Sequence, residues 1–185
     1  MPKPGFSMDD LLHPKTRKYQ ANFSDRRPYR RPDGGIGAMA AVKIQESLGL
    51  KTPPVDLGPV CRHLAVSVTE VDQIQGQPDA VGRHRGYGLI EIVRGLPDKI
   101  YRVTLAHELG HEVLKHSLRS VWDTHESLMD VGDPHEAEAW AFAGELLMPY
   151  EVLKKNSTKP REELEILFEV SASAIAVQLS RRGLL

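Results

Sequence analysis

Apolar residues along the chain alternate between helical spacing and strand-like period two, and the switches divide it into elements. Ala41, Ile44 and Leu48 recur at helical spacing from near Gly37, and Gly49 with Pro53-Pro54 closes that run. Asp56 is positioned to cap a second helix with Leu57, Val60, Cys61 and Leu64 on its apolar face. Val66-Ser67-Val68 alternates and predicts a first strand. Residues 71–85, rich in Gln, Gly and Asp, read as a loop or weak hairpin. Residues 88–93 form the clearest strand, bounded by Gly88, Gly95 and Pro97, and are expected at a sheet edge.

Helical spacing returns for the rest of the chain. One helix is expected over 102–116. A second should start at Asp133-Pro134, with Asp at the cap and Pro at the first helical position, and stop at Pro149. A final pair is expected over 160–168 and 171–182, ended by Gly183. The apolar positions Leu164, Leu167, Phe168, Ile175 and Leu179 of that pair either pack on the preceding domain or offer a docking surface. The order of elements predicts an α+β architecture: a small sheet, a helix packed against it and a C-terminal helical pair.

Residues 1–35 follow no such period. Lys3, Lys15, Arg17, Lys18, Arg26, Arg27, Arg30 and Arg31 face only Asp9, Asp10, Asp25 and Asp33, with five prolines among them. This composition predicts a solvated basic tail. The alternative is an arm for nucleic acid or an acidic partner, with Tyr19, Phe23 and Tyr29 interleaved. The expected organisation is therefore a tail over 1–35 and one domain over 36–185, which includes the helical segment 151–185.

Composition narrows the function. With 24 Lys and Arg against 25 Asp and Glu, the net charge of −1 carries no whole-chain signal for nucleic acid or membrane. Cys61 is the only cysteine, so neither an intramolecular disulfide nor a Cys-based zinc site can form, and its place on an apolar face predicts a core side chain. The first ten residues lack an apolar signal region, and no run of roughly 18 apolar residues occurs, so a cytoplasmic location without a membrane partner is expected.

The chemistry concentrates at His107-Glu108-Leu109-Gly110-His111. Residues four apart share a helix face, so His107 and His111 can both present a ring nitrogen to one Zn2+ ion. Glu108, one residue on, falls beside the metal, where a carboxylate can take a proton from a water that zinc activates. Gly110 costs a helix about 1 kcal/mol relative to Ala, which makes sense if another backbone packs closely there. A catalytic zinc needs a third protein ligand. Glu136 supplies a candidate on a stripe with Ala139, Ala143 and Leu146 or Leu147, whereas Glu138 lies about 200° around the helix and is expected to face elsewhere. Asp133-x-x-Glu136 is also capping-box spacing, so a purely local role for Glu136 competes with ligation.

Residues 103–111, Val-Thr-Leu-Ala-His-Glu-Leu-Gly-His, together with Glu136-Ala137-Glu138-Ala139-Trp140-Ala141-Phe142-Ala143-Gly144-Glu145-Leu146-Leu147-Met148-Pro149, resemble the two central motifs of the ImmA/IrrE family of metallopeptidases. Weaker similarity extends over most of residues 40–185. The resemblance implies a zincin-like domain of the gluzincin kind, with His107, His111 and Glu136 as zinc ligands and Glu108 as general base. It also implies a protein substrate such as a helix-turn-helix transcriptional repressor. Two departures affect the surroundings of the metal: Trp140 replaces the family's usual Asn, and Lys115-His116 stands where a His-His pair is common. Both put the hydrogen bonds behind the ligands in doubt. His13, His63, His84, His116, His125, His135 and Tyr150 all remain open as oxyanion stabilisers. Two other readings compete with proteolysis: a non-catalytic, antitoxin-like binding module on the same fold, and nucleic-acid binding through the basic tail.

Overall fold

The structure is a computed structural model that describes residues 34–50, 52–77, 80–116 and 134–185. The basic tail up to residue 33, His13, His125 and the Asp133 cap lie outside the described residues. The elements run α1 (Gly34–Leu48), α2 (Gly58–His63), β1 (Ser67–Val71), β2 (Gly82–Gly86), β3 (Leu89–Val93), α3 (Asp98–Leu114), α4 (Pro134–Leu147), α5 (Tyr150–Asn156), α6 (Arg161–Phe168) and α7 (Ala172–Arg182). This is the expected α+β order. α1 starts three residues before Gly37, and α5 was not anticipated. Asp56 does bind the start of α2, its Oδ1 accepting from the Gly58 N–H at 2.8 Å, although Leu57 occupies the cap position.

The sheet departs from expectation in two respects. β2 forms at the end of the segment read as loop or weak hairpin, and β3 is the central strand, in the order β1-β3-β2. β1 runs parallel to β3 and β2 antiparallel to it, so both edges of β3 are taken. β2 is the edge strand that meets α3, with its Gly82 against Thr104 and Glu108. Ile90 and Ile92 on β3 are wholly buried, and each such burial contributes about 1.5–3 kcal/mol.

α3 packs on this sheet, and α4 crosses α3 closely. A Cβ at Gly110 would stand 3.1 Å from both the Cα and the carbonyl oxygen of Ala139 and 3.2 Å from the Phe142 Cβ. The missing side chain therefore lets two backbones meet, as the sequence suggested. Ala139, Ala143, Leu146 and Leu147 of α4 are buried along the anticipated stripe.

The C-terminal pair belongs to the same core. Leu164, Phe168, Ile175 and Leu179 are buried, and Leu167 is partly buried against them, which removes them as a docking surface. Ser171 caps α7 by accepting from the Ala174 N–H at 3.3 Å, and Gly183 ends it in the left-handed conformation. Buried Glu145 on α4 accepts from the Tyr150 N–H at 3.0 Å and pairs with Arg182 of α7. No helix among the described residues is long and apolar enough to cross a membrane.

Candidate metal centre

Seventeen residues of α3 carry His107 and His111 one turn apart, and both side chains are buried. The first turn of α4 brings Glu136 over them. His107 Nε2 lies 3.2 Å from Glu136 Oε2, His111 Nε2 lies 3.3 Å from Glu136 Oε1, and the two Nε2 atoms are 3.0 Å apart. These three residues form the only such metal-capable group of His, Cys, Asp and Glu among the described residues.

The spacing suits a metal. Ligands at about 2.0–2.1 Å on tetrahedral directions stand about 3.3 Å from one another, close to the separations seen here. Two neutral imidazoles and a carboxylate are also a donor set that zinc accepts. Burial alone would raise the Glu136 carboxyl, but the adjacent His107 and His111 outweigh it and hold the group far below the usual carboxylate range. Its oxygens are engaged across the helix pair with the histidines, which is the arrangement of a ligand.

Glu108 stays out of that trio. It is buried, and its Oε1 lies where a Cβ on Gly82 of β2 would come within 3.1 Å. Its pKa is raised from 4.5 to about 7, chiefly by burial and further by Glu136, against the opposing pull of His111, the His84 backbone N–H and Arg83. A carboxyl poised near 7 beside a donor trio is suited to exchanging protons at neutral pH.

Other polar side chains steady the frame, and most escaped the sequence reading. Glu112, next to His111, accepts from His84 Nε2 at 2.5 Å, Lys115 Nζ at 2.6 Å and the Gly88 N–H at 3.3 Å. Burial would raise this carboxyl, but those donors outweigh it and hold it below its ordinary value. The result is a tie from α3 to β2 and the turn before β3. The Trp140 ring packs on His107 with centroids 4.0 Å apart. His116 reaches His111 at 2.9 Å between Nδ1 atoms, so the Lys115-His116 departure leaves a hydrogen bond behind that ligand after all. Behind His107 the doubt was justified: its Nδ1 is buried with no hydrogen-bond partner among the described residues. Glu138 lies outside the trio but does not face elsewhere as expected, since its Oε2 lies 3.1 Å from Nε2 of His116, just past the end of α3. Of the other candidates, His84 and His116 each pair one ring nitrogen with a carboxylate, and Lys154 and Arg182 lie over the Tyr150 ring.

The model of the IrrE N-terminal-like domain, Peptidase M78, matches residues 61–180, well over half the chain. The chain belongs to this metallopeptidase family. The match spans β2, α3 and the start of α4, and so includes His107, Glu108, His111 and Glu136. A transcriptional regulator from Mycobacterium tuberculosis has a similar fold, with a TM-score of 0.57 and 22% sequence identity. The similarity covers 79% of this chain and 47% of that one, so the M78 chain spans about half of that protein's length. No curated protein matches the chain.

Proposed function

We propose that this chain is a zinc-dependent endopeptidase that cuts a regulatory protein, such as a helix-turn-helix repressor, rather than proteins at large. The observation that carries the reading is the convergence of His107, His111 and Glu136 with Glu108 alongside, in a chain of the M78 family. His107, His111 and Glu136 would hold the ion. Zinc bound there would polarise a substrate carbonyl and make water a better nucleophile near neutral pH.

The chain's own groups supply the rest. Glu108, buried and lifted to about 7, accepts the proton of the attacking water and returns it to the leaving amine. β2 packs over Glu108 through Gly82 and lies at a sheet edge, so an extended peptide adding beside β2 would pass the donor trio. The sequence placed β3 at a sheet edge, but both of its edges are paired and β2 is the edge strand on this side. A regulatory substrate follows from the ImmA/IrrE resemblance, and the fold shared with a transcriptional regulator is in keeping with it.

The test is co-expression of the chain with candidate repressors, beginning with products of neighbouring genes. One discrete cut, lost in Glu108→Gln while zinc remains bound, is the expected result. Undiminished cutting by Glu108→Gln would overturn the assignment of the base. A repressor bound tightly and left intact by the zinc-loaded wild-type protein would favour the binding-module reading.

A further inference from the structure

α3 ends with Lys115 in the left-handed conformation, and the turn carries His116 back over the helix end. The His116 N–H bonds the His111 carbonyl at 3.1 Å, and the side chain is buried. Its Nδ1 lies 2.9 Å from His111 Nδ1, its Nε2 lies 3.1 Å from Glu138 Oε2, and the His135 ring stacks on it with centroids 4.5 Å apart.

The proton positions along this line follow from Glu138. An ionised carboxylate only accepts, so His116 must place its hydrogen on Nε2. In neutral His116 the Nδ1 then carries a lone pair and accepts, which requires the hydrogen of His111 to be on Nδ1. His111 Nε2 is left bare, and that is the atom facing Glu136 and His107. We propose that Glu138 and His116 are positioning residues that fix the tautomer and ring orientation of His111 and so prime its Nε2 for the metal. The proposal rests on the reading of His107, His111 and Glu136 as a metal cage. It assigns Glu138, two residues beyond the third ligand, a role through His116 rather than on the ion. Outer partners of this kind raise ligand basicity and typically change metal affinity by about 10–100-fold.

Two measurements test it. In competition with a chromophoric chelator, Glu138→Ala and His116→Ala should each weaken zinc binding by about 10–100-fold, while Glu138→Gln, whose amide oxygen still accepts, should recover much of the loss. In zinc-loaded protein, the 15N resonances of His111 should report a protonated Nδ1 in the wild type and a mixture of tautomers in Glu138→Ala. A general packing role would not produce that tautomer shift or the rescue by Gln. Zinc affinities within twofold of wild type in both alanine variants would overturn the proposal, as would a wild-type His111 protonated on Nε2. Wild-type protein that binds no zinc would instead overturn the cage, and the proposal with it.

Discussion

The rings of His107 and Trp140 lie 4.0 Å apart between centroids at an interplanar angle of 36°, so one of the two imidazoles in the trio is held by an aromatic face. His107 Nδ1 has no hydrogen-bond partner among the described residues, which leaves packing to orient the ring. Trp140→Ala should therefore do two things. Loss of the aromatic contact and its burial should lower stability by about 2 kcal/mol, and freer rotation of His107 should weaken zinc binding. Trp140→Phe keeps an aromatic face and should restore most of both. Thermal melts of the metal-free protein and chelator competition separate the two effects; equal zinc affinity in all three proteins would show that the contact is incidental.

The trio itself predicts about one zinc per chain. His107→Ala with His111→Ala should remove it, and Glu136→Ala should weaken its retention, since each deletes one of three converging donor atoms. Because bound metal favours only the folded state, the same changes should abolish the rise in melting temperature that zinc gives the wild type. Elemental analysis after gel filtration checks the first point. Full occupancy in the double histidine variant would show that the ion sits elsewhere.

How far these features could be read from sequence depended on whether they are local. His107, Glu108 and His111 follow from one helical turn, and Gly110 announced the close approach of Ala139 because a helix rarely carries a glycine without a packing reason. Ser171 and Gly183 bound α7 by their own side-chain and backbone preferences. β2 was legible only as one side of a loop or weak hairpin, because Gly82-Arg83-His84-Arg85-Gly86 has no apolar alternation. Its inward residue is His84, buried by pairing with Glu112 from a distant helix. The central place of β3 had no local signal: burial in Leu89–Val93 alternates, with Ile90 and Ile92 inward and Leu89 exposed, a pattern that suits an edge strand as well as a central one. The contact of Glu138 with His116 had no sequence signal at all, since it depends on the turn made by Lys115.

Cys61 offers a check on the core. It is partly buried against the apolar cluster, and burial raises its thiol pKa above the ordinary value of 9.0. A raised pKa means less thiolate than a free cysteine at any given pH, and the thiolate is the reactive form. Alkylation by iodoacetamide at pH 8 should therefore be slower in the native protein than in denaturant, and should speed up as the pH rises toward the folded-state pKa. Native and denatured rates that agree would place Cys61 outside the core.

Gly82 supports Glu108 without contributing a group of its own to the chemistry. Glu108 has no room of its own making: β2 closes over it, and Gly82 leaves the space its carboxylate occupies. A Cβ at Gly82 would run into Thr104 Cγ2 and come within 3.1 Å of Glu108 Oε1 and 3.3 Å of its Cγ. Gly82→Ala must then move β2 away from α3, turn Glu108 aside, or both. Overpacking of this kind typically costs about 1–3 kcal/mol, less than enough to unfold a domain of ordinary stability. Because Gly82 does not touch His107, His111 or Glu136 in its nearest contacts, the metal trio should survive. The expected phenotype is a folded, zinc-loaded protein whose cleavage rate falls by about 10–100-fold, in the range of a misplaced general base. Glu108→Gln should fall further, and the double variant should be no worse than Glu108→Gln alone, since Gly82 acts through the carboxylate that has already been removed. Independent, multiplying losses in the double variant would mean that β2 serves the substrate and not the base.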